Sequence, residues 1–232
     1  MFMETFNINR NIAHLAILQR IELASPKLKK IRKLFGRYLF TKFFSKYFIN
    51  VSNISTKYYD LMYEEFSSIK SYLKDNQKIL SIGSGIGGLE LLIYNNFKNS
   101  KINFIEKNYI SKKIKYGWDD KNIEAYNDIH LLEKFLILNG VQKNKFDIYD
   151  FDKSVLPQKK FDLILSLYSL DFHYNFKIYQ RYLKEISHDN TFIIFDTIRY
   201  EHFKKIFKEV IIIKEDKFTV HKSKRILCKF MK

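Results

Sequence analysis

The fold is decided by the stretch Lys78-Ile-Leu-Ser-Ile-Gly83-Ser-Gly85-Ile-Gly87-Gly88-Leu-Glu90. An apolar run, which predicts a β-strand, leads into a turn that holds four of the seven glycines of the chain, and an apolar helix follows. In such a unit, Gly83 permits a sharp turn, Gly85 lets the backbone approach a ligand closely, and Gly87 lets the helix pack tightly on the strand. The free amides at the helix start favour a polar or anionic group. The stretch therefore predicts a nucleotide-binding strand-turn-helix unit.

The next predicted strand, Ile102–Glu106, ends in a carboxylate nineteen residues after Gly87. A carboxylate at this strand end can accept hydrogen bonds from both hydroxyls of a ribose. Taken alone, Glu106 could also be an exposed loop acid, but the glycine turn that precedes it favours the ribose role. The two features together indicate a ligand that contains adenosine.

From residue 78 onward, short β-branched runs alternate with helical stretches, which is typical of an α/β sheet. The predicted strands are Lys78–Gly83, Ile102–Glu106, Phe146–Tyr149, Phe161–Ser166, Thr191–Asp196, Val210–Lys214 and Arg225–Phe230. The predicted helices are Gly88–Asn95, Ile123–Leu138, Phe176–Ile186 and Tyr200–Phe207, with none between the third and fourth strands. Only a loop separates the last two strands, and a turn can join antiparallel but not parallel strands. We therefore predict a Rossmann-like, seven-stranded, mostly parallel sheet that ends in an antiparallel hairpin.

Residues 1–76 carry no strand-like alternation and predict a helical N-terminal cap on a domain of residues 77–232. Apolar residues recur at helical spacing in three segments, Asn9–Glu22, Lys27–Lys46 and Ser55–Leu73. The middle segment is expected to be one helix or two, with a break at Gly36.

Lys27–Lys46 holds eight basic residues and no acidic one. Three interpretations are open: its apolar face caps the site while its lysines are solvated, it makes peripheral contact with an anionic membrane, or it binds nucleic acid. Its aromatic residues recur at helical spacing, which favours packing over exposed stacking platforms. Nucleic acid is therefore a possible partner that this pattern does not favour. No pattern in the sequence indicates the oligomeric state.

Composition narrows the class of protein. With 232 residues and a hydrophobic fraction of 46%, the chain can bury a substantial core. The net charge of +16 fits either a polyanionic partner or a coding bias that inflates lysine. The single cysteine, Cys228, excludes an internal disulfide, and the N-terminus lacks the order of a signal peptide, so we expect a cytoplasmic protein. No histidine or cysteine spacing indicates a metal site, and none is expected.

Two cofactors are compatible with this unit, a nicotinamide dinucleotide and S-adenosylmethionine (SAM). A dinucleotide fold usually continues with a parallel sixth strand, which the predicted closing hairpin argues against. At this point, over about residues 56–232, the chain resembles the class I SAM-dependent methyltransferases, whose sheet ends in such a reversed strand. The resemblance implies SAM as the cofactor and methyl transfer as the reaction.

The resemblance also implies roles for the first two strands and their loops. Ile79–Gly87 resembles the first motif of the family, which implies that Gly83, Ser84, Gly85 and Gly87 bind the cofactor. Glu106 matches the acid that holds the ribose. Ser81 departs from the family, which often carries an acid there, so the partner of the methionine amino group is not assigned.

Two later stretches resemble further motifs of the family. Asp152-Lys-Ser-Val-Leu-Pro157 resembles an acid followed by Leu-Pro, which implies that Asp152 lies near the adenine amino group, with Asp150 as an alternative. Phe151 or Lys107 is then expected to flank the adenine ring. The strand Phe161–Ser166 resembles the one that opens onto the transferred methyl, which implies that Ser166 lies at the cofactor.

The segment after this strand, residues 167–176, faces the substrate in the family and is similar to sugar and small-molecule O-methyltransferases. A histidine can take a hydroxyl proton at neutral pH, so His173 is either the catalytic base or a packing residue. Asp171 either orients it or is solvated. Trp118 either stacks on a ligand or is a buried anchor. Two further side chains that follow the fifth strand, Arg199 and His202, are expected near the substrate.

The sequence therefore predicts a SAM-dependent methyltransferase acting on a hydroxyl of a sugar or other small molecule. The alternatives are an RNA or protein methyltransferase that uses the basic N-terminal region, and a SAM-binding protein without catalysis.

Overall fold

This computed structural model describes residues 5–34, 37–112, 125–216 and 222–232, except for the side chains of 32–40. Within these ranges one sheet is built from seven strands, which are β1 (Lys78–Ile82), β2 (Lys101–Glu106), β3 (Phe146–Asp150), β4 (Phe161–Ser166), β5 (Ser187–Thr197), β6 (Phe207–Glu215) and β7 (Lys224–Met231). The strand order is β3-β2-β1-β4-β5-β7-β6. The first five strands are parallel, and β7 is antiparallel to both of its neighbours. The predicted Rossmann-like sheet and its closing hairpin are confirmed.

The order of the strands fixes where a ligand can bind. β1 pairs with β2 on one side and with β4 on the other, so the connections from these strands leave in opposite directions. In open α/β sheets a crevice forms at this point, beyond the carboxyl ends of the strands. The glycine turn follows β1 and Glu106 ends β2, so both lie at this crevice.

Four helices belong to the sheet domain: α5 (Gly88–Asn96), α6 (Ile129–Leu138), α7 (Lys177–Ile186) and α8 (Tyr200–Ile206). The ten residues between β3 and β4 contain no helix, as predicted. The predicted start of the second of these helices at Ile123 is wrong in its described part, because residues 125–128 are not helical. The Asp128 carboxylate accepts hydrogen bonds from the backbone N–H groups of His130 and Leu131 and so starts α6 at Ile129.

The N-terminal region is helical where it is described. It contains α1 (Arg10–Gln19), a 3₁₀ turn at Ile21–Leu23, α2 (Pro26–Leu34), α3 (Arg37–Tyr47) and α4 (Val51–Ile69). Gly36, the predicted break between the second and third helices, lies outside the described residues. Each of the three predicted helical segments therefore contains helix, and the second contains two.

The N-terminal helices share one hydrophobic core with the sheet. Phe6 packs edge-on against Phe135 of α6, with ring centroids 5.4 Å apart. Tyr58 of α4 is buried, and its hydroxyl accepts a hydrogen bond of 3.1 Å from the backbone N–H of Gly88. These contacts lie beside the glycine turn, so the helical region helps to form the wall of the crevice.

The α3 helix has one buried and one exposed face. Its buried Ser45 hydroxyl lies 2.8 Å from Nδ1 of His14 on α1. On the other face, Phe43, Tyr47 and Phe48 are exposed and their rings are in contact. Contact of this surface with a membrane or nucleic acid stays a prediction. In the described part of the chain, no helix has both the length and the apolar character needed to cross a membrane.

Candidate active site

The glycine turn has a backbone that other residues rarely adopt. Gly83, Gly85 and Gly87 have φ angles of 70°, 67° and 81°, all in the left-handed region. A Cβ atom on Gly83 would lie 2.0 Å from Oγ of Ser169, and one on Gly87 would lie 2.8 Å from a methyl carbon of Leu132. Gly87 therefore serves the packing of α6 against the turn.

A cavity of about 540 Å³ opens at the carboxyl ends of β1 and β2. Six of the predicted site residues line it, and they are Gly83, Ser84, Gly85, Glu106, Lys107 and His173. They come from the turn after β1, the end of β2 and the loop after β4. The fold thus brings together, in one cavity, residues that lie 90 positions apart in the sequence.

Glu106 is the most constrained of these residues. Its carboxylate is buried and accepts a hydrogen bond of 2.7 Å from the Ser84 hydroxyl. Burial raises the pKa of Glu106 to about 7, and the hydrogen bonds from Ser84 and Asn127 only partly oppose this rise. Asn127 also donates to the backbone oxygen of Gly85 at 3.0 Å and so ties Glu106 to the glycine turn.

The predicted adenine contacts form a group beside the cavity. Lys107 lines the cavity, and its ammonium lies 3.9 Å from a carboxylate oxygen of Asp152 and 5.6 Å from the ring centre of Phe151. Asp152 is half-exposed, whereas Asp150 is buried and its side chain accepts a hydrogen bond from the backbone N–H of Asp152. Asp150 therefore shapes the loop, and the contacts of Phe151 and Asp152 with adenine stay predictions.

Ser166 lies below the cavity and not in its described wall. Its buried hydroxyl donates to the backbone oxygen of Ile82 at 2.8 Å and accepts from the backbone N–H of Leu170 at 2.9 Å. Both hydrogen bonds tie β4 and the following loop to β1. These hydrogen bonds give Ser166 a structural role, and its contact with the cofactor stays a prediction.

The loop after β4 forms another part of the cavity wall, next to the glycine turn, because its Ser169 side chain lies against Gly83. Tyr168, His173 and Tyr174 line the cavity there. Burial raises the pKa of both tyrosines, so their phenols stay neutral and can donate hydrogen bonds. His173 packs edge-on against the ring of Phe172, with centroids 4.8 Å apart. The two phenol hydroxyls can donate hydrogen bonds and the imidazole can accept one, which suits a polar ligand.

The alternative that Asp171 is solvated is wrong, because its side chain is fully buried. Its carboxylate accepts a hydrogen bond of 2.7 Å from the Thr197 hydroxyl and forms an ion pair with Arg199. Arg199 and His202 line a separate depression beside α8, so their expected place near the substrate is also corrected. Trp118 lies outside the described residues.

Several cavity residues come from the N-terminal helical region, and no pattern in the sequence predicts them. Gln19 at the end of α1 accepts a hydrogen bond from the backbone N–H of Ile86 at 3.2 Å and donates to the backbone oxygen of Tyr126 at 2.7 Å. Arg20 and Glu65 also line the cavity and form a buried ion pair. No local motif marks these residues, because their partners are distant in the sequence.

Another missed residue, Glu90, lies in the first turn of α5. Its buried carboxylate lines the cavity and accepts a hydrogen bond from the Ser81 hydroxyl. Burial raises the pKa of Glu90 to about 7. Ser81 occupies the position where the family often carries an acid. This departure was the available signal for Glu90, because it suggests that another residue supplies the carboxylate.

In the described residues no group of three or more His, Cys, Asp or Glu side chains is arranged to hold a metal ion. No family model and no curated protein matches the chain. Solved structures do match it. A candidate O-methyltransferase from Nostoc punctiforme PCC 73102 superposes with a TM-score of 0.51 at 10% sequence identity, over 75% of this chain and 61% of that chain.

Two further solved structures are similar. A methyltransferase from Pyrococcus furiosus has a TM-score of 0.46 at 14% identity, over 88% of this chain and 94% of that one. Human methyltransferase-like protein 13, solved in complex with S-adenosylhomocysteine (SAH), has a TM-score of 0.46 at 12% identity, over 72% of this chain and 81% of that one. At these identities the likeness concerns the fold. The chain has the Rossmann-like methyltransferase fold, with its strand order and reversed β7.

Proposed function

We propose that this protein is a SAM-dependent methyltransferase that methylates a hydroxyl of a sugar or other small molecule. One observation carries the proposal: the glycine turn and the Glu106 carboxylate line one cavity and are joined by the hydrogen bond from Ser84. A buried carboxylate beside a glycine turn that lines the same cavity suits a ribose and the polar groups attached to it. The methyltransferase fold makes SAM, and not a dinucleotide, the ligand expected there.

The charges of the cavity support a cationic cofactor. Its described lining contains five carboxylates, from Glu22, Glu65, Glu90, Glu106 and Asp216, but only two full cations, from Arg20 and Lys107. This excess of acid occurs in a chain with a net charge of +16. SAM carries a positive sulfonium, which an acidic cavity attracts. The same charges disfavour entry of a phosphate-rich acceptor, which supports a small molecule over RNA.

When it is bound, SAM would supply a methyl group attached to a sulfonium sulfur. A nucleophile in line with the carbon–sulfur bond takes the methyl group, and the sulfur leaves as the thioether of SAH. The chain then has three tasks: to hold the cofactor, to align the acceptor and to remove its proton. Glu106 and the glycine turn perform the first. Tyr168 and Tyr174 donate hydrogen bonds that orient the acceptor. His173 receives the proton that leaves the hydroxyl oxygen as the new carbon–oxygen bond forms.

The fit of the cofactor is tested by calorimetry with SAM, SAH and NAD. We expect SAM and SAH to bind and NAD to bind weakly or not at all. Tight NAD binding without SAM binding would overturn the proposal.

The acceptor is tested by methyl transfer from radiolabelled SAM to separate panels of sugars, small alcohols, RNA and protein. Transfer to a sugar or alcohol is expected. Transfer to RNA alone, with loss at high salt, would instead identify an RNA methyltransferase. SAM binding without transfer to any panel would favour a non-catalytic SAM-binding protein.

A further inference from the structure

Glu90 is an acid whose position no motif explains. It lies in the first turn of α5, is 2% exposed and lines the cavity next to the glycine turn. One carboxylate oxygen, Oε1, accepts the hydrogen bond from Ser81. The other, Oε2, is buried and has no hydrogen-bond partner in the part of the chain that the structure describes. The side chain therefore holds one unsatisfied acceptor on a residue that lines the cavity.

The surroundings of Glu90 supply no cation. In the described ranges, no lysine, arginine or histidine forms an ion pair with it, and the charge of Glu65, which acts on it, has the same sign. Arg20, the cavity cation on that side, is paired with Glu65. Because buried carboxylates are normally paired or fully hydrogen-bonded, this arrangement is unfavourable in the protein alone.

Two features nevertheless favour the ionised form of Glu90. The Ser81 hydroxyl donates to it, and the positive end of the α5 helix dipole lies at its turn. An ionised carboxylate only accepts hydrogen bonds, so the free oxygen requires a donor, and a cationic donor satisfies both the hydrogen bond and the charge. A primary ammonium group has both properties. A sulfonium is cationic but has no hydrogen to donate.

We propose that the Glu90 carboxylate is the binding site for the ammonium group of the amino-acid part of the cofactor. Glu90 thereby supplies from α5 the acid that is missing at Ser81 on the neighbouring strand. The inference rests on the proposed function, because it assumes a cofactor that carries an ammonium group. Ser81 keeps a supporting role, since its hydroxyl fixes the carboxylate and leaves the second oxygen for the ligand.

The test compares three ligands by calorimetry in the wild type and in Glu90→Gln. SAH has the ammonium and carboxylate groups, decarboxylated SAH has only the ammonium, and 5′-methylthioadenosine has neither. We expect Glu90→Gln to weaken the binding of SAH and of decarboxylated SAH by about 10- to 100-fold. This is the range expected when a charge-assisted hydrogen bond is lost. Binding of 5′-methylthioadenosine should be unchanged.

The double variant Ser81→Asp with Glu90→Gln provides a second test. It moves the acid from the helix to the strand position, and we expect it to recover part of the preference for SAH over 5′-methylthioadenosine. An equal loss of all three ligands in Glu90→Gln, or unchanged SAH binding, would overturn the inference. If the wild type binds none of the three ligands, the proposed function itself fails.

Discussion

The Ser84 hydroxyl donates a hydrogen bond of 2.7 Å to Oε1 of Glu106, and so joins the turn after β1 to the end of β2. The parallel register, in which Ile82 lies opposite Ile105, places the ends of the two strands side by side. A serine in the turn therefore reaches an acid 22 positions later in the sequence. This link orients the carboxylate toward the cavity before any ligand binds.

Replacement of Glu106 by glutamine should weaken every adenosine ligand. The amide has one acceptor oxygen and no charge, so the charge-assisted hydrogen bonds to the ribose are lost. We expect SAH and 5′-methylthioadenosine to bind about 10- to 100-fold more weakly, measured by calorimetry. Glu201→Gln, at an exposed site on α8, is the matched control and should not change affinity. Unchanged affinity in Glu106→Gln would remove the ribose role.

The same Glu106→Gln variant should stabilise the protein without ligand, and more so at high pH. Burial raises the folded-state pKa from 4.5 to about 7, so the fold favours the protonated acid. Such a group gives its full stability below pH 4.5 and loses it as the pH rises through 7. Glutamine does not titrate, so the Glu106→Gln variant does not lose stability in this way as the pH rises.

We expect the stability gain of Glu106→Gln over the wild type to be larger at pH 8 than at pH 5, by about 2 kcal/mol. Denaturant unfolding of the ligand-free proteins at the two pH values measures this difference. A gain that is independent of pH would contradict the raised pKa. A variant that is more stable but binds more weakly would identify Glu106 as a residue retained for its ligand.

The sequence predicted the strands and the Glu106 site because their signals are local. Each strand is a short β-branched run, and Glu106 follows the glycine turn at a fixed spacing. The start of α6 was placed too early because apolar periodicity outweighed the cap signal of Asp128. Gln19 and Glu65 could not be predicted, since only the packing of the N-terminal helices brings them to the cavity.

Alanine at Gly83 should be much more damaging than alanine at Gly140. Both glycines have a positive φ, of 70° and 83°, but a Cβ on Gly140 meets no atom within 4 Å, whereas one on Gly83 collides with Ser169. Gly140→Ala then measures the backbone cost alone, about 1–2 kcal/mol. We expect Gly83→Ala to lose more stability than this in thermal unfolding and to lose SAH binding. Equal losses of stability in the two variants would show that the loop after β4 moves to accommodate the Cβ atom of Ala at position 83.

The buried ion pair of Arg225 and Asp196 should be costly to break. Arg225 donates hydrogen bonds of 3.0 and 3.1 Å to the two oxygens of Asp196, and both side chains are buried. Asp196→Asn leaves the guanidinium with a weaker partner and should cost about 3 kcal/mol or more in the free energy of unfolding.

The combined variant Arg225→Met with Asp196→Asn should recover part of that loss, because it removes a buried guanidinium that keeps only the Glu65 carboxylate, 3.6 Å away, as an ion-pair partner in the described residues. The exposed pair of Lys204 and Glu201 is the control, and Glu201→Gln should leave the free energy of unfolding almost unchanged. Denaturant unfolding measures all three variants. If Asp196→Asn costs no more than the surface control, the pair does not stabilise the fold.

Loss of His173 should affect the chemical step and not cofactor binding. General bases contribute about 10²- to 10⁴-fold to the rate, so we expect His173→Ala to lower kcat by at least about 100-fold on the acceptor that the panels identify. The dissociation constant of SAH should stay the same, because the proposed cofactor contacts come from the glycine turn, Glu106 and Glu90 and not from His173. A normal kcat in His173→Ala would leave this residue only a packing role against Phe172.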